Sequence, residues 1–270
     1  VNLAMIMFPH VFFLPNAEIA TRVTFVTVAV WWAIFSIPLL RHVEEPPASG
    51  DPTAGVNPIV GGFRRLSATF GEMRRYRELM KFIIAFWLYN DGIGTIIKMA
   101  TIYGAEIGIG TTDLVGALLL TQFIGIPFSI LFGRLARRVG TKPSIFLALG
   151  VYTLISIAGY FMSQAWHFWV LAGMVGLVQG GSQALSRSLF GIMVPKTRTA
   201  EFFGFYDVSA KMASIAGPFF FALVGQLTGT SRLSIVSLVV FFIGGALLLT
   251  RVDVREGIRV AREQEALERR

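Results

Sequence analysis

Apolar residues run through this chain in blocks long enough to cross a bilayer, and polar residues collect in short stretches between them. An opening block closes at Pro15-Asn16, a turn signal, and residues 22–40 (RVTFVTVAVWWAIFSIPLL) continue as an apolar run. About 20 helical residues cross a hydrocarbon core of roughly 30 Å, so this run predicts a spanning helix. Trp31 and Trp32 fall in its middle, where packing is expected before interface anchoring. Six further spans are predicted over 80–103, 114–132, 143–162, 168–194, 203–227 and 233–249. The fold class that follows is all-α and polytopic in the membrane.

The connections divide the chain. Residues 1–40 read as the end of one helix bundle, 41–79 as a linker, 80–250 as a six-helix bundle and 251–270 as a charged tail expected to be solvated. The linker begins with EEPPASGDPTAGVNP, which is flexible by composition. Its second part sets Phe63, Leu66, Phe70, Met73 and Leu79 among Arg64, Arg65, Arg74, Arg75 and Arg77, the pattern of an amphipathic helix on an anionic membrane surface. The chain starts at Val1 without an initiator Met or a basic n-region. Its opening therefore reads as the latter part of a membrane helix rather than a signal peptide, and the chain is expected to be a fragment.

Composition agrees: 54% of residues are hydrophobic and only 15% charged, with a mean hydropathy of +0.65. Soluble domains carry about 25% charged residues. The net charge of +8 is not gathered into a nucleic-acid patch. Its basic residues lie in alternate loops: Arg41, Arg64, Arg65, Arg74, Arg75, Arg77 and Lys81, then Arg134, Arg137, Arg138 and Lys142, then Lys196 and Arg198, then Arg251, Arg255 and Arg259. The intervening loops hold Glu106, Asp113 and His167 with few basic residues, so the positive-inside rule places the linker and the C-terminus in the cytoplasm. With no cysteine, thiolate metal sites and disulfides are excluded. No metal site or cofactor is expected.

Polar residues inside the spans are the candidate chemistry, because a charge at the bilayer centre costs about 2.5–3.5 kcal/mol on insertion scales and must face protein or water. Asn90 and Asp91 are followed by Lys98 on the same helix face, with Gly92 and Gly94 between. They either line a bent helix touching substrate or a coupling proton, or form a structural ion pair. Gln179 and Gln183 share a face with Arg187 nearby. Their amides either bond a zwitterionic amino acid or bond across a helix interface that Gly176, Gly180 and Gly181 bring close. Asp207 and Lys211 either neutralise each other along one helix, or Asp207 exchanges a proton or breaks its pair during alternating access. Arg187 snorkels or pairs with an acid, with binding of a substrate carboxylate as the lesser alternative, and Tyr206 packs or stacks on substrate. Glu201 sits at the membrane boundary, where it can join Lys196 or Arg198 in a gate. Gly217-Pro218 is expected to kink its helix.

The loop from Gly133 to Lys142, GRLARRVGTK, is similar to the G-x-x-x-D-R-x-G-x-[RK] loop of the major facilitator superfamily. Gly133, Arg138, Gly140 and Lys142 fall on its fixed positions, while Arg137 stands where that family often has Asp. YNDGIGTI (89–96), GLVQGGSQALSRSLF (176–190), EFFGFYDVSAKMASIAGP (201–218) and VGQLTGTSR (224–232) together resemble the branch of that superfamily containing the autophagy-related vacuolar effluxers and their bacterial relatives. The resemblance runs from about 21 to 252 and implies a major facilitator fold, with this chain supplying part of helix 5 and helices 6–12.

What the resemblance implies is a secondary active transporter exporting amino acids or similar small polar metabolites, with a coupling proton as candidate driver. Membrane lipids and the N-terminal helices of the same protein are its expected partners, nucleic acid is not, and a bacterial inner membrane is the expected location. A sugar, drug or peptide cargo is the alternative within transport, and a membrane scaffold or sensor the alternative outside it. The chain has no G-x-S-x-G, H-E-x-x-H or P-loop, so no enzyme activity is expected. One complete bundle is expected not to transport alone.

Overall fold

A computed structural model describes residues 1–43 and 58–268, and its contacts divide the chain into two units, Val1–Pro58 and Ile59–Arg270. The stretch read as a flexible linker lies outside the described residues, Pro58 excepted, as do Arg269 and Arg270.

In the first unit, α1 (Asn2–Met7) leads through a short 3₁₀ turn to α2 (Ala17–His42). Asn16 caps α2 by accepting from the Ile19 N–H at 2.9 Å, and Thr27 Oγ1 donates to Asn2 Oδ1 at 3.0 Å, tying α1 to α2. The helix is apolar on every side, the composition of a membrane span. Trp31 and Trp32 remain exposed and touch only neighbours on their own helix, so the packing expected for them is not made within the described residues.

The second unit holds α3 (Pro58–Met73), α4 (Arg77–Glu106), α5 (Thr111–Val139), α6 (Thr141–Tyr160), α7 (Ala165–Ile192), α8 (Thr199–Ala213), α9 (Ala216–Thr228), α10 (Ser231–Ser237), α11 (Val239–Thr250) and α12 (Val254–Glu268). Six segments of the described chain are long and apolar enough to cross a membrane: Ala17–His42, Thr111–Val139, Thr141–Tyr160, Ala165–Ile192, Lys196–Thr228 and Ser231–Thr250. The 30-residue α4 is not among them; Asn90, Asp91 and Lys98 interrupt its apolar sequence. It is the central helix of the unit, packed against α7, α8, α9 and α11.

Helices α5 and α7 approach most closely, because α7 presents glycine where side chains would collide. A Cβ on Gly176 would lie 2.9 Å from the Thr121 carbonyl oxygen, and one on Gly181 would lie 2.3 Å from the Phe132 ring. The core between helices is aromatic and aliphatic, with Phe82, Tyr89, Tyr103, Tyr152, Phe190, Phe202 and Phe242 fully enclosed. Dispersion and close packing hold such helices together in lipid, where the hydrophobic effect between them is lost.

Two expectations change. The apolar side of α3 is spent on protein rather than laid on a membrane surface: Met73 is fully buried and Phe70 stacks on Phe205 with ring centroids 5.8 Å apart. Val60 and Phe63, near its start, stay exposed. The tail helix α12 is likewise not simply solvated. Val254, Ile258 and Ala261 recur at helical spacing and face the core, and Glu265 Oε1 accepts from the Lys196 N–H at 2.8 Å.

The predicted 203–227 span is two helices. Its interruption falls at Ser214–Ile215, one turn before the predicted kink at Gly217-Pro218. Pro218 has no N–H to give the Ser214 carbonyl, so the helical ladder fails one turn upstream of the proline itself.

Candidate functional site

Helix α4 reaches the break with two side chains of opposite charge. The first N–H groups of a helix and the last carbonyls lack intrahelical partners, and they carry partial positive and negative charge respectively. Gly217, in the first turn of α9, donates its N–H to Asp91 Oδ2 at 2.6 Å. Lys98 Nζ lies 3.4 Å from the Ser214 carbonyl oxygen, just past the end of α8. Each half-helix therefore meets the charge that complements its end. Asp91 is 3% exposed and its Oδ1 has no hydrogen-bond partner. Thr95 Oγ1 stands beside it and donates to the Asp91 backbone carbonyl at 2.7 Å. Gly217 admits this arrangement by having no side chain, since a Cβ there would lie 2.1 Å from Thr95 Oγ1 and 2.7 Å from Asp91 Oδ1.

A second charged group is open to solvent. Arg187 of α7 grips Asp207 of α8 with both terminal nitrogens, at 2.8 and 3.3 Å, and its guanidinium lies 5.0 Å from the Phe203 ring centroid. The two side chains are 54% and 47% exposed. Gln183, one turn from Arg187, and Lys211, one turn from Asp207, are exposed on the same faces. The expected Asp207–Lys211 pair is not formed: the guanidinium fork of α7 takes the carboxylate, and Lys211 has no ion pair among the described residues. Asn90 is half-buried next to Asp91. Tyr206 is buried beneath the pair, stacked on Phe86 at 4.4 Å and against Phe190 at 4.6 Å.

The remaining predicted residues separate. Gln179 faces a cavity of about 80 Å³ within the bundle, lined also by Gln122, Thr121, Tyr103, Val175 and Ile235, so the two glutamines do not share one surroundings. Gln122 escaped the sequence reading because a single amide in an apolar run has no spacing partner. Tyr89 escaped it too. Its hydroxyl is 2.6 Å from Ser186 Oγ, which itself donates to the Ser182 carbonyl, so Tyr89 is the donor and α4 is tied to α7.

At the end bearing the basic segments, Lys142 Nζ donates to the carbonyls of Thr250 at 3.1 Å and Val252 at 2.8 Å, fastening the start of α6 to the end of α11; the predicted 133–142 loop is itself helical except at Gly140, where α5 passes into α6. Arg138 is exposed, while Gly133 and Gly140 are half-buried. Arg198 pairs with Glu72 of α3, and Glu78 accepts from Lys81 and from the Asp253 N–H. Glu201 is exposed. No cluster of His, Asp or Glu able to hold a metal occurs among the described residues.

Long apolar helices around a central helix that carries charge, with an interrupted helix beside it, define an integral, multi-pass all-α membrane protein. The profile of the family described as "Vacuole effluxer Atg22 like" matches residues 1–262, and the chain belongs to that family. It is 37% identical over 269 residues to an uncharacterized MFS-type transporter, YxiO, of Bacillus subtilis, covering 99% of this chain and 62% of that protein. Autophagy-related protein 22 of Yarrowia lipolytica is 26% identical, over 92% of this chain and 47% of its own length. The Saccharomyces cerevisiae protein of the same name is 25% identical, over 90% and 52%. The chain thus spans about half to three-fifths of the length of these relatives.

Proposed function

We propose that this chain forms one wall of a secondary active transporter that exports amino acids or similar small polar metabolites by alternating access. The observation that carries the reading is the half-exposed Arg187–Asp207 pair, flanked by exposed Gln183 and Lys211. A zwitterion presents a carboxylate and an ammonium group. Exchange of Arg187 onto the first and Asp207 onto the second conserves both charged contacts, whereas a neutral cargo would leave two charges to be resolvated. Gln183 can donate and accept beside them. The name of the family and the transporter name of the Bacillus relative support export across a membrane. The alternation of basic loops supports an orientation with the linker and C-terminus in the cytoplasm of a bacterial cell.

Counterflow tests the reading. The protein completed with the other helix bundle, purified into liposomes preloaded with unlabelled amino acids, would be offered a pooled labelled set, beside an Asp207→Asn version. Accumulation of a subset, reduced at least tenfold by the substitution, is the expected result. Folded protein that accumulates a sugar or peptide but no amino acid would overturn the cargo, and accumulation indifferent to Asp207→Asn would remove the pair from the path.

A further inference from the structure

We propose that Asp91 Oδ1 is the binding site for a proton, and that occupation of this atom releases the break between α8 and α9. The inference rests on the transport reading for its place in a cycle, but its geometry stands independently. Asp91 is a carboxylate enclosed by protein with one oxygen committed and one idle: Oδ2 accepts from the Gly217 N–H, while Oδ1 has no partner. A buried polar atom without a hydrogen bond is uncommon in folded proteins and asks for an explanation; Tyr152, Ser156 and Ser234 also have such an oxygen, but among these atoms Asp91 Oδ1 alone belongs to a carboxylate. The surroundings select a small one. A methyl-sized group at Gly217 would already overlap Asp91 Oδ1 and Thr95 Oγ1, so both oxygens border a space closed to anything larger.

The partner for an added proton is present. Thr95 Oγ1 spends its own hydrogen on the Asp91 backbone carbonyl and keeps lone pairs to accept from a protonated Oδ1. Lys98, on the same helix, is the charged group acting on Asp91. On this turn of α4, Phe241 and Phe242 of α11 lie against Gly92 and the backbone of Gly217 of α9 lies against Asp91, none of them titratable; one half-turn earlier the Tyr89 hydroxyl is taken up by Ser186 of α7. Proton exchange at Asp91 is therefore felt first by Lys98 and by the first turn of α9.

The consequence is mechanical. With Asp91 ionised, α9 is held by a charge-assisted hydrogen bond and by the attraction of a negative group for a helix N-terminus. Protonation converts the first into a neutral bond and removes the second, and Lys98 loses its counter-charge next to the end of α8. The ladder between the half-helices is already broken by Pro218, so the contact with α4 is what fixes their angle. Its weakening lets the angle change. No bond other than that of the proton to Oδ1 is made, and the proton arrives from and returns to water.

Spin-label distances read this angle without reference to any cargo. The chain has no cysteine, so Ala200→Cys on α8 and Leu227→Cys on α9, both exposed, can be labelled singly in each half-helix. In nanodiscs, the ratio of two distance populations is expected to change on the order of tenfold between mildly alkaline and mildly acidic buffer. Asp91→Asn, which keeps an acceptor for Gly217 and a donor for Thr95, should hold the acidic distribution at every pH. Thr95→Val should require on the order of fivefold more proton to reach the midpoint, because the protonated form loses its acceptor. A distribution indifferent to pH, a response surviving in Asp91→Asn, or a response driven by sodium at constant pH would overturn the proposal. An unresponsive hinge in protein that performs counterflow sinks this inference alone. A responsive hinge in protein that transports nothing sinks the transport reading and leaves the proton site standing.

Discussion

Two carboxylates in the same bundle, Asp91 and Asp207, are held in opposite ways. Asp91 is 3% exposed, bonded to a backbone N–H, and closed in by Thr95 and Gly217. Asp207 is half-exposed and bonded to the side chain of Arg187, which is itself 54% exposed. A carboxylate fixed by backbone cannot move without moving a helix, whereas one held by arginine can change partners at little cost. The first arrangement suits a switch within the fold and the second suits contact with a passing solute. The contrast teaches that charge in a membrane span does not by itself mark substrate contact; what the charge is anchored to decides its use.

The largest effect expected from breaking this contrast is at Gly217. Gly217→Val would drive its side chain into Asp91 and Thr95, destabilising the fold by roughly 3 kcal/mol, read as a lower unfolding temperature in detergent. A stability unchanged from wild type would show that α9 is not tightly held against α4. Next comes Asp91→Ala, which leaves a buried N–H without an acceptor and should cost about 1–3 kcal/mol in the same measurement. Asp207→Ala belongs to the other arrangement. Exposed pairs contribute about 1 kcal/mol or less, and a double-mutant cycle with Arg187→Ala should return a coupling within that bound. A larger coupling would move this pair to the structural side of the comparison.

The smallest expected effect lies outside the membrane. Glu256 on α12 is held below the usual carboxylate range by its hydrogen bond with Arg259. Because the folded-state value is depressed, the stabilisation is present above the unfolded value and is lost as pH falls through the folded one. Fraying of α12, followed by hydrogen exchange, should therefore increase only in acid, and Glu256→Gln should abolish that dependence. Equal acid sensitivity in the variant would assign it elsewhere.

Much of the fold was legible in the sequence because lipid leaves few options: each apolar run must close its own backbone bonds as a helix. Thus α4 contains the predicted 80–103, and α5 contains 114–132 but runs on through Arg134, Arg137 and Arg138, which a bilayer-length count leaves out. Local spacing also singled out Asp91, Lys98, Arg187 and Asp207 as candidates. It could not assign their partners. The spacing of Asp207 and Lys211 permits a pair on one helix, yet α7 brings a two-pronged donor that competes better. Asp91 and Gly217 are 126 residues apart, and no local pattern connects them. The position of the break was within reach, since a proline's missing donor is felt by the carbonyl four residues earlier, here Ser214. The docking of α3 and α12 was hidden for a different reason. An amphipathic face records that something apolar will cover it, without saying whether that is lipid or protein.

The central claim is that the face bearing Gln183 and the Arg187–Asp207 pair meets the cargo. Because the chain lacks cysteine, a single Gln183→Cys can be titrated with a water-soluble maleimide in protein that performs counterflow. A saturating transported amino acid should slow the modification several-fold, and a non-transported amino acid should not. An equal rate with and without the transported amino acid would contradict the central claim.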